Sequence, residues 1–193
     1  MRPDWNEYFM VLAKIVSSRS TCNSRPTGCV ITHNNQILST GYNGAVSREK
    51  HCIDMPYFKG SPYCYRRILG KDEKEKKDYC IGNHAERNAI AHAAKKGISL
   101  NHSTLYVTLS PCYDCIKILF SSGIENVYYE LPYQSTNHAR DKFWIDQGLK
   151  LFKKFEQLEI SKDLLNRLNV KEPTSIRNLT ELNSNGVYEF IHK

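Results

Sequence analysis

The chain has 193 residues, the size of one ordinary domain or of one domain with an extension, and long enough to bury a core without disulfide or metal staples. Its 40% hydrophobic and 24% charged residues give a soluble globular balance; no apolar segment approaches bilayer length, and Met1–Glu7 carries charges where an export signal needs an apolar run, so a soluble, cytoplasmic protein without membrane partners is expected. The net charge of +7 has two readings, a solvated lysine-rich surface or attraction of an anionic partner such as a nucleotide phosphate or a polynucleotide, and charge does not separate them.

Asp4 can cap a helix, with Glu7 three positions on in the capping-box arrangement, and Trp5, Tyr8, Phe9, Leu12, Ile15 and Val16 recur at helical spacing, which predicts a helix over 4–18. Gly28–Thr32 and Gln36–Thr40 read as strands joined by an Asn34-Asn35 hairpin turn. Cys29, inside the first strand, reads as a small core hydrophobe. Gly41-Tyr42-Asn43-Gly44 is expected to turn the chain tightly after the hairpin. Residues 45–82 then form a polar, charge-rich segment containing Lys71–Asp78. A loop of that length is unusual unless something ties it down, and Cys52, Cys64 and Cys80 lie within it.

A second helix is predicted over 84–96, stopped by Gly97, followed by a buried strand at 104–109. Ser110 is expected to cap the next helix, with Pro111 at its first position, running to Gly123. A strand at 126–130 completes a βαβ unit with parallel strands. Beyond Leu131-Pro132-Tyr133, a helix around 137–147 closed by Gly148 and a last strand at 149–152 are expected. Leu164, Leu165 and Leu168 mark a short helix, and the remainder reads as irregular.

Two stretches carry chemistry. Asn83-His84-Ala85-Glu86 offers an imidazole and, two residues on, a carboxylate. Pro111-Cys112-Tyr113-Asp114-Cys115 offers two thiols at i and i+3, which share a helix face and can reach one ion. With no export signal, the seven cysteines point to thiols or metal ligands, not to disulfides. Zinc takes tetrahedral N and S ligands, and a catalytic site leaves one position for water. His84, Cys112 and Cys115 supply three ligands, the helix dipole favours thiolate there, and Glu86 stands near enough to handle the protons of water without ligating. Alone, each stretch means little: His-x-Glu is common on helix surfaces, and Cys-x-x-Cys serves redox pairs and structural zinc. Together they match the signature of the zinc nucleobase deaminases, and a closed structural site would have no use for Glu86.

Several stretches resemble the deoxycytidylate (dCMP) deaminase family. They are Trp5–Met10, Arg19-Ser20-Thr21-Cys22, Gly28–Ile31, Gly41–Gly44, the His84 motif, and Tyr106-Val107-Thr108 leading into Pro111. The resemblance covers residues 4–153 and implies a catalytic domain there, with residues 45–82 as an inserted loop and 154–193 as a C-terminal extension. The fold it implies is the three-layer α/β cytidine deaminase-like fold, a mixed five-stranded sheet flanked by helices. The implied reaction is hydrolysis of dCMP to dUMP and ammonia, feeding thymidylate synthesis, on one catalytic zinc. A second, structural zinc is also implied, with Cys22 and Cys52 matching ligand positions, Cys64 and Cys80 as their expected partners, and His51 as substitute. For the substrate, the resemblance places Arg25 near the phosphate, Asn43 on the sugar and Tyr133 against the base. It further implies a homo-oligomer, often a hexamer, and control through the Gly41–Gly44 region by dCTP as activator and dTTP as inhibitor. Ala45-Val46 stands where the family commonly has a proline.

The alternatives are deamination of dCTP as well as or instead of dCMP, a deaminase of RNA or single-stranded DNA, and a non-catalytic zinc scaffold or regulatory subunit. The second lacks an interleaved basic–aromatic stretch to form a strand-binding groove, so nucleic acid is not the expected partner.

Overall fold

In a computed structural model of the chain, residues 2–69, 79–134, 137–168, 180–182 and 188–190 are described; the charge-rich run 71–78 lies outside them. The first helix, α1 (Trp5–Ser17), starts where the sequence predicts, with the Asp4 carboxylate accepting the Glu7 N–H at 2.8 Å. The hairpin follows as β1 (Gly28–His33) and β2 (Gln36–Tyr42). Its turn residues Asn34 and Asn35 both take left-handed φ, 49° and 59°, the twist that joins two strands through a two-residue loop.

Strand β5 (Ser103–Leu109) pairs antiparallel with β1, then parallel with β6 (Ile124–Leu131), which in turn pairs parallel with β7 (Lys154–Gln157). The sheet is thus mixed and five-stranded, in the order β2-β1-β5-β6-β7. Alternation along the central strands assigns its faces. Val30, Tyr106 and Tyr128 pack with Phe9, Met10 and Ala13 of α1, while Cys29, Ile31, Val107 and Val127 face the opposite layer. That layer holds α3 (Ala85–Lys95), α4 (Tyr113–Ser121) and α5 (His138–Leu151). The result is the expected three-layer sandwich, and Cys29 is fully buried in its core. Across the α1 face, buried Lys14 bridges to Glu130 of β6 at 2.5 Å.

The described residues between 45 and 82 are not structureless. Strand β3 (Gly44–Ala45) pairs with β4 (Gly82–Asn83), a 3-10 turn occupies Cys52–Asp54, and a short helix α2 spans Tyr65–Leu69. The insertion therefore leaves from and returns to one small ladder. Helix α6 (Lys162–Leu168) follows the sheet, and residues 180–182 and 188–190 pair as an antiparallel hairpin, β8 and β9, where an irregular tail was expected.

Three local expectations are corrected. Gly41 and Gly44 do not make a tight turn: β2 runs through Tyr42, and neither glycine has a left-handed φ. Gly41 is small because α3 lies on it. A Cβ there would sit 2.2 Å from the Ala85 carbonyl oxygen and 2.6 Å from the Ala89 nitrogen. Gly148 does not close α5 but lies inside it, where a Cβ would meet the Phe155 ring at 2.6 Å. The helix accordingly runs to Leu151, and the last sheet strand is Lys154–Gln157, not 149–152. Finally, Ser110 and Pro111 precede α4, whose N-cap is Cys112. The Ser110 hydroxyl accepts the Tyr133 N–H at 2.7 Å instead, so it fixes a loop and caps no helix.

Because backbone opposes the missing Cβ of Gly41, Gly41→Ala should force α3 off β2. The expected loss is about 2 kcal/mol, or about 6 °C in the thermal midpoint. An unchanged midpoint by circular dichroism would contradict the close approach.

Candidate functional site

Two helix starts meet at one point. His84 is the N-cap of α3 and Cys112 the N-cap of α4, both with extended backbone (ψ 154° and 165°) and neither spending its side chain on a capping bond. Cys115 lies one turn into α4. The His84 Nδ1 stands 3.6 Å from the Cys112 Sγ and 3.3 Å from the Cys115 Sγ. The three donor atoms lie within 4.8 Å of one another, and His84 keeps solvent access while Cys115 is buried. Ligands at ~2.3 Å for sulfur and ~2.0 Å for nitrogen, spread tetrahedrally, stand ~3.5 Å apart. The donor set and its spacing therefore fit one zinc-type ion.

Charge at this point is shared. The hydrogen bond from Cys115 draws Cys112 down to about 4, helped by His84. The same bond, together with burial, pushes Cys115 well above the ordinary thiol range. His84 is raised by its bond to Cys112, against burial. Glu86, in the first turn of α3, is only 4% exposed. Burial raises its carboxyl, and the His84 charge opposes that rise. A buried carboxyl raised above the ordinary carboxylate range, beside a metal-type donor set, is the arrangement of a proton shuttle.

The site opens into a cavity of about 480 Å³ whose walls include His84, Glu86, Cys112, Arg25, Asn43 and Tyr133. The three residues expected to meet substrate thus line the same space as the donor set. Arg25 lies over the Tyr133 ring at 4.1 Å and donates through Nη2 to the Gln134 carbonyl. Asn43 is the peg of the loop after α1. Its Oδ1 accepts from the Ser20 hydroxyl at 2.6 Å and the Thr27 N–H at 2.8 Å, and its Nδ2 donates to the Arg25 carbonyl at 2.7 Å. Arg140 and Trp144 of α5 also line the cavity. Sequence reading did not single them out, because i, i+4 on a helix carries no motif and only the packing of α5 brings them to the wall.

Cys22, Cys52, Cys64 and Cys80 also border this cavity. Burial and the neighbouring Cys64, Cys22 and Cys80 push Cys52 to about 11. Burial likewise raises Cys22 and Cys64, with Cys80 acting on both. The four thiols, from α1's exit and three parts of the insertion, thus act on one another through space, but among the described residues only His84, Cys112 and Cys115 bring their ligand atoms within 4.8 Å of one another. Asn23, another residue without a sequence signal, clips the segments together by donating to the Cys52 carbonyl at 3.0 Å and the Tyr63 carbonyl at 2.9 Å. His51 bonds through Nδ1 to the Thr21 hydroxyl at 3.0 Å.

Comparison with known proteins agrees with this geometry. The model of the "cytidine and deoxycytidylate deaminase zinc-binding region" matches residues 3–131. Deoxycytidylate deaminase of Mycobacterium phage D29 is 35% identical over 133 residues, covering 66% of this chain and 95% of that protein. The deoxycytidylate deaminase of Enterobacteria phage T4 is 33% identical over 181 residues, covering 82% and 91%. Among solved structures, dCMP deaminase from the cyanophage S-TIM5, in complex with dCMP and dUMP, superposes with a TM-score of 0.60 at 28% identity, covering 81% of this chain and 98% of that one. The chain belongs to the zinc-binding cytidine and deoxycytidylate deaminase family.

Proposed function

We propose that the chain is a zinc-dependent hydrolase that converts dCMP and water to dUMP and ammonia. Glu86 carries this reading: a buried, raised carboxyl beside His84, Cys112 and Cys115, at the wall of a cavity of about 480 Å³. That volume is of ligand-pocket size, and the relatives named deoxycytidylate deaminase, together with the cyanophage dCMP deaminase solved with dCMP and dUMP, support the substrate.

In this reading His84, Cys112 and Cys115 hold the zinc. When bound, zinc supplies Lewis acidity that brings the ionisation of water towards ~7. Glu86 takes a proton from water and delivers it to the ring nitrogen N3. The second water proton follows the same route to the exocyclic amine, so C4 gains an oxygen, the C4–N4 bond breaks and ammonia leaves. Arg25 meets the phosphate, Asn43 the sugar and Tyr133 the base. The catalytic unit runs from residue 4 through β7 at Lys154–Gln157, past the boundary at 153 that the sequence placed, because the sheet's edge strand lies beyond it. The tail after it is the extension.

Cys22, Cys52, Cys64 and Cys80 form a second, structural zinc site in the same reading, supported by their mutual electrostatic coupling and by the Asn23 clip. A closed four-thiolate set is the structural type. Assembly into hexamers, activation by dCTP and inhibition by dTTP, a cytoplasmic location and supply of dUMP for thymidylate synthesis rest on the family resemblance. Among the described residues no helix is long and apolar enough to cross a membrane.

Purified protein should deaminate dCMP and leave a cytosine-containing oligonucleotide untouched, with dCTP and deoxycytidine as comparators and dTTP as effector. Glu86→Gln should lower kcat by about 10³-fold or more while the zinc remains bound. Turnover of the oligonucleotide alone, or full activity of the variant, would reject the reaction or the role. Elemental analysis should return two zinc ions per chain and, in Cys52→Ser, one, with a lowered thermal midpoint. A wild-type protein with a single zinc and full occupancy at His84 would remove the structural site.

A further inference from the structure

Asn88 stands one turn along α3 from His84, and the reaction above gives its side chain no work. It makes three hydrogen bonds. Its N–H donates to the His84 carbonyl at 3.0 Å. Its Nδ2 donates to the Tyr42 carbonyl at 2.7 Å, and its Oδ1 accepts the Asn83 Nδ2 at 2.8 Å. A backbone carbonyl can only accept, so the Tyr42 end fixes which way the Asn88 amide faces. Its Oδ1 then meets Asn83, which must offer its own NH2 group. The relay runs in one direction, from Asn83 through Asn88 to Tyr42.

Tyr42 and Asn83 are the two roots of the insertion. Tyr42 ends β2, and two residues on Gly44 pairs with Asn83 and Ala45 with Gly82. Each strand of that ladder has two residues, and so short a pairing is marginal without further support. It closes the loop of residues 46–81, and the residue that follows it is His84. The chain therefore passes from a long insertion to a metal-type donor in one peptide step. Cys112 and Cys115 belong to a single helix start, which sets their spacing. The 3.6 Å and 3.3 Å from the His84 Nδ1 to their sulfurs depend instead on how α3 and the ladder meet. Farther along, α3 lies on β2 at Gly41, and the Ser39 hydroxyl donates to the Ala89 carbonyl at 2.7 Å. Asn88 is the point where helix, strand and ladder are tied to one another.

We infer that Asn88 is a positioning residue for the metal site: it closes the root of the insertion onto α3 and so holds His84 at its distance from Cys112 and Cys115. The inference rests on the zinc reading for its ligand. Asn88 acts through the His84 backbone and the Asn83 side chain.

The test is zinc affinity by chelator competition on the full chain, with His84→Ala marking the ion that belongs to this site. Asn88→Ala removes both arms of the relay, and the affinity should fall about 30-fold, the effect of two neutral hydrogen bonds and within the usual range for groups that orient a ligand. Asn88→Asp keeps the volume and the acceptor towards Asn83 but has no donor for the Tyr42 carbonyl. Two acceptors then face each other, and the loss should again be about 30-fold or more. Asn83→Ala cuts one arm, for about fivefold, and serves if the Asn88 variants fail to fold. The double variant Asn83→Ala/Asn88→Ala should bind zinc no more weakly than Asn88→Ala, because both arms are already gone. A residue that merely stabilised α3 would lower the thermal midpoint and leave zinc affinity within twofold of wild type in the folded variants, and that result would overturn the assignment. Chelator competition needs no turnover. A wild type inactive on dCMP whose zinc still loosens in Asn88→Ala would refute the reaction and keep the residue. A wild type that holds no more zinc than His84→Ala would refute the zinc reading and the inference with it.

Discussion

The structure turns on the convergence of two helix N-termini at one buried corner. α3 and α4 each begin with a side chain that could have capped its own helix and does not: His84 and Cys112 leave the first-turn N–H groups to other partners and point their donor atoms at a common place. The positive ends of both helix dipoles then bear on the same small volume. That favours thiolate at Cys112 and makes a cation there, with negatively charged ligands, electrostatically consistent. Helix geometry does the rest: Cys115 falls on the face that Cys112 presents, and Glu86 falls one short step from His84, on the inner side.

Holding that corner requires the helices to sit closely on the sheet, and the sequence spends small residues to achieve it. Gly41 on β2 and Ala85 and Ala89 on α3 let backbone lie almost on backbone. On α5, Gly148 does the same against Phe155. Cys29, Ile31, Val107 and Val127 fill the space between, each fully buried. Packing of this kind has little slack. The position of Glu86 relative to His84 and the two cysteines is therefore a property of the core as much as of the motif.

Around this rigid centre the substrate wall is assembled from loops. Asn43 gathers the loop carrying Cys22 and Arg25, and Ser110 holds the loop carrying Tyr133. The long segment 45–82 is fastened at its ladder and at Asn23. One side of the cavity performs chemistry. The other carries arginines and aromatic rings.

The sequence by itself determined the elements whose periodicity is strong and the ligands whose chemistry is rare. The helix at Asp4, the Asn34-Asn35 hairpin, the βαβ unit, and the His84–Glu86 and Cys112–Cys115 pairings were all legible, because caps, alternation and ligand spacing are local. Where local signals had two meanings, tertiary structure decided. Ser110-Pro111 reads as a helix start, yet the serine hydroxyl goes to Tyr133 and the helix begins later. Gly148 reads as a helix stop, yet it is an interior contact for a ring seven residues away, and 149–152 stays helical up to Leu151. Asn43 carried the resemblance of a substrate contact, and its peg-like role in the loop appears only in space. Arg140, Trp144 and Asn23 carried no signal at all. What they do depends on which remote segments fold against them, and a one-dimensional pattern holds no record of that neighbourhood.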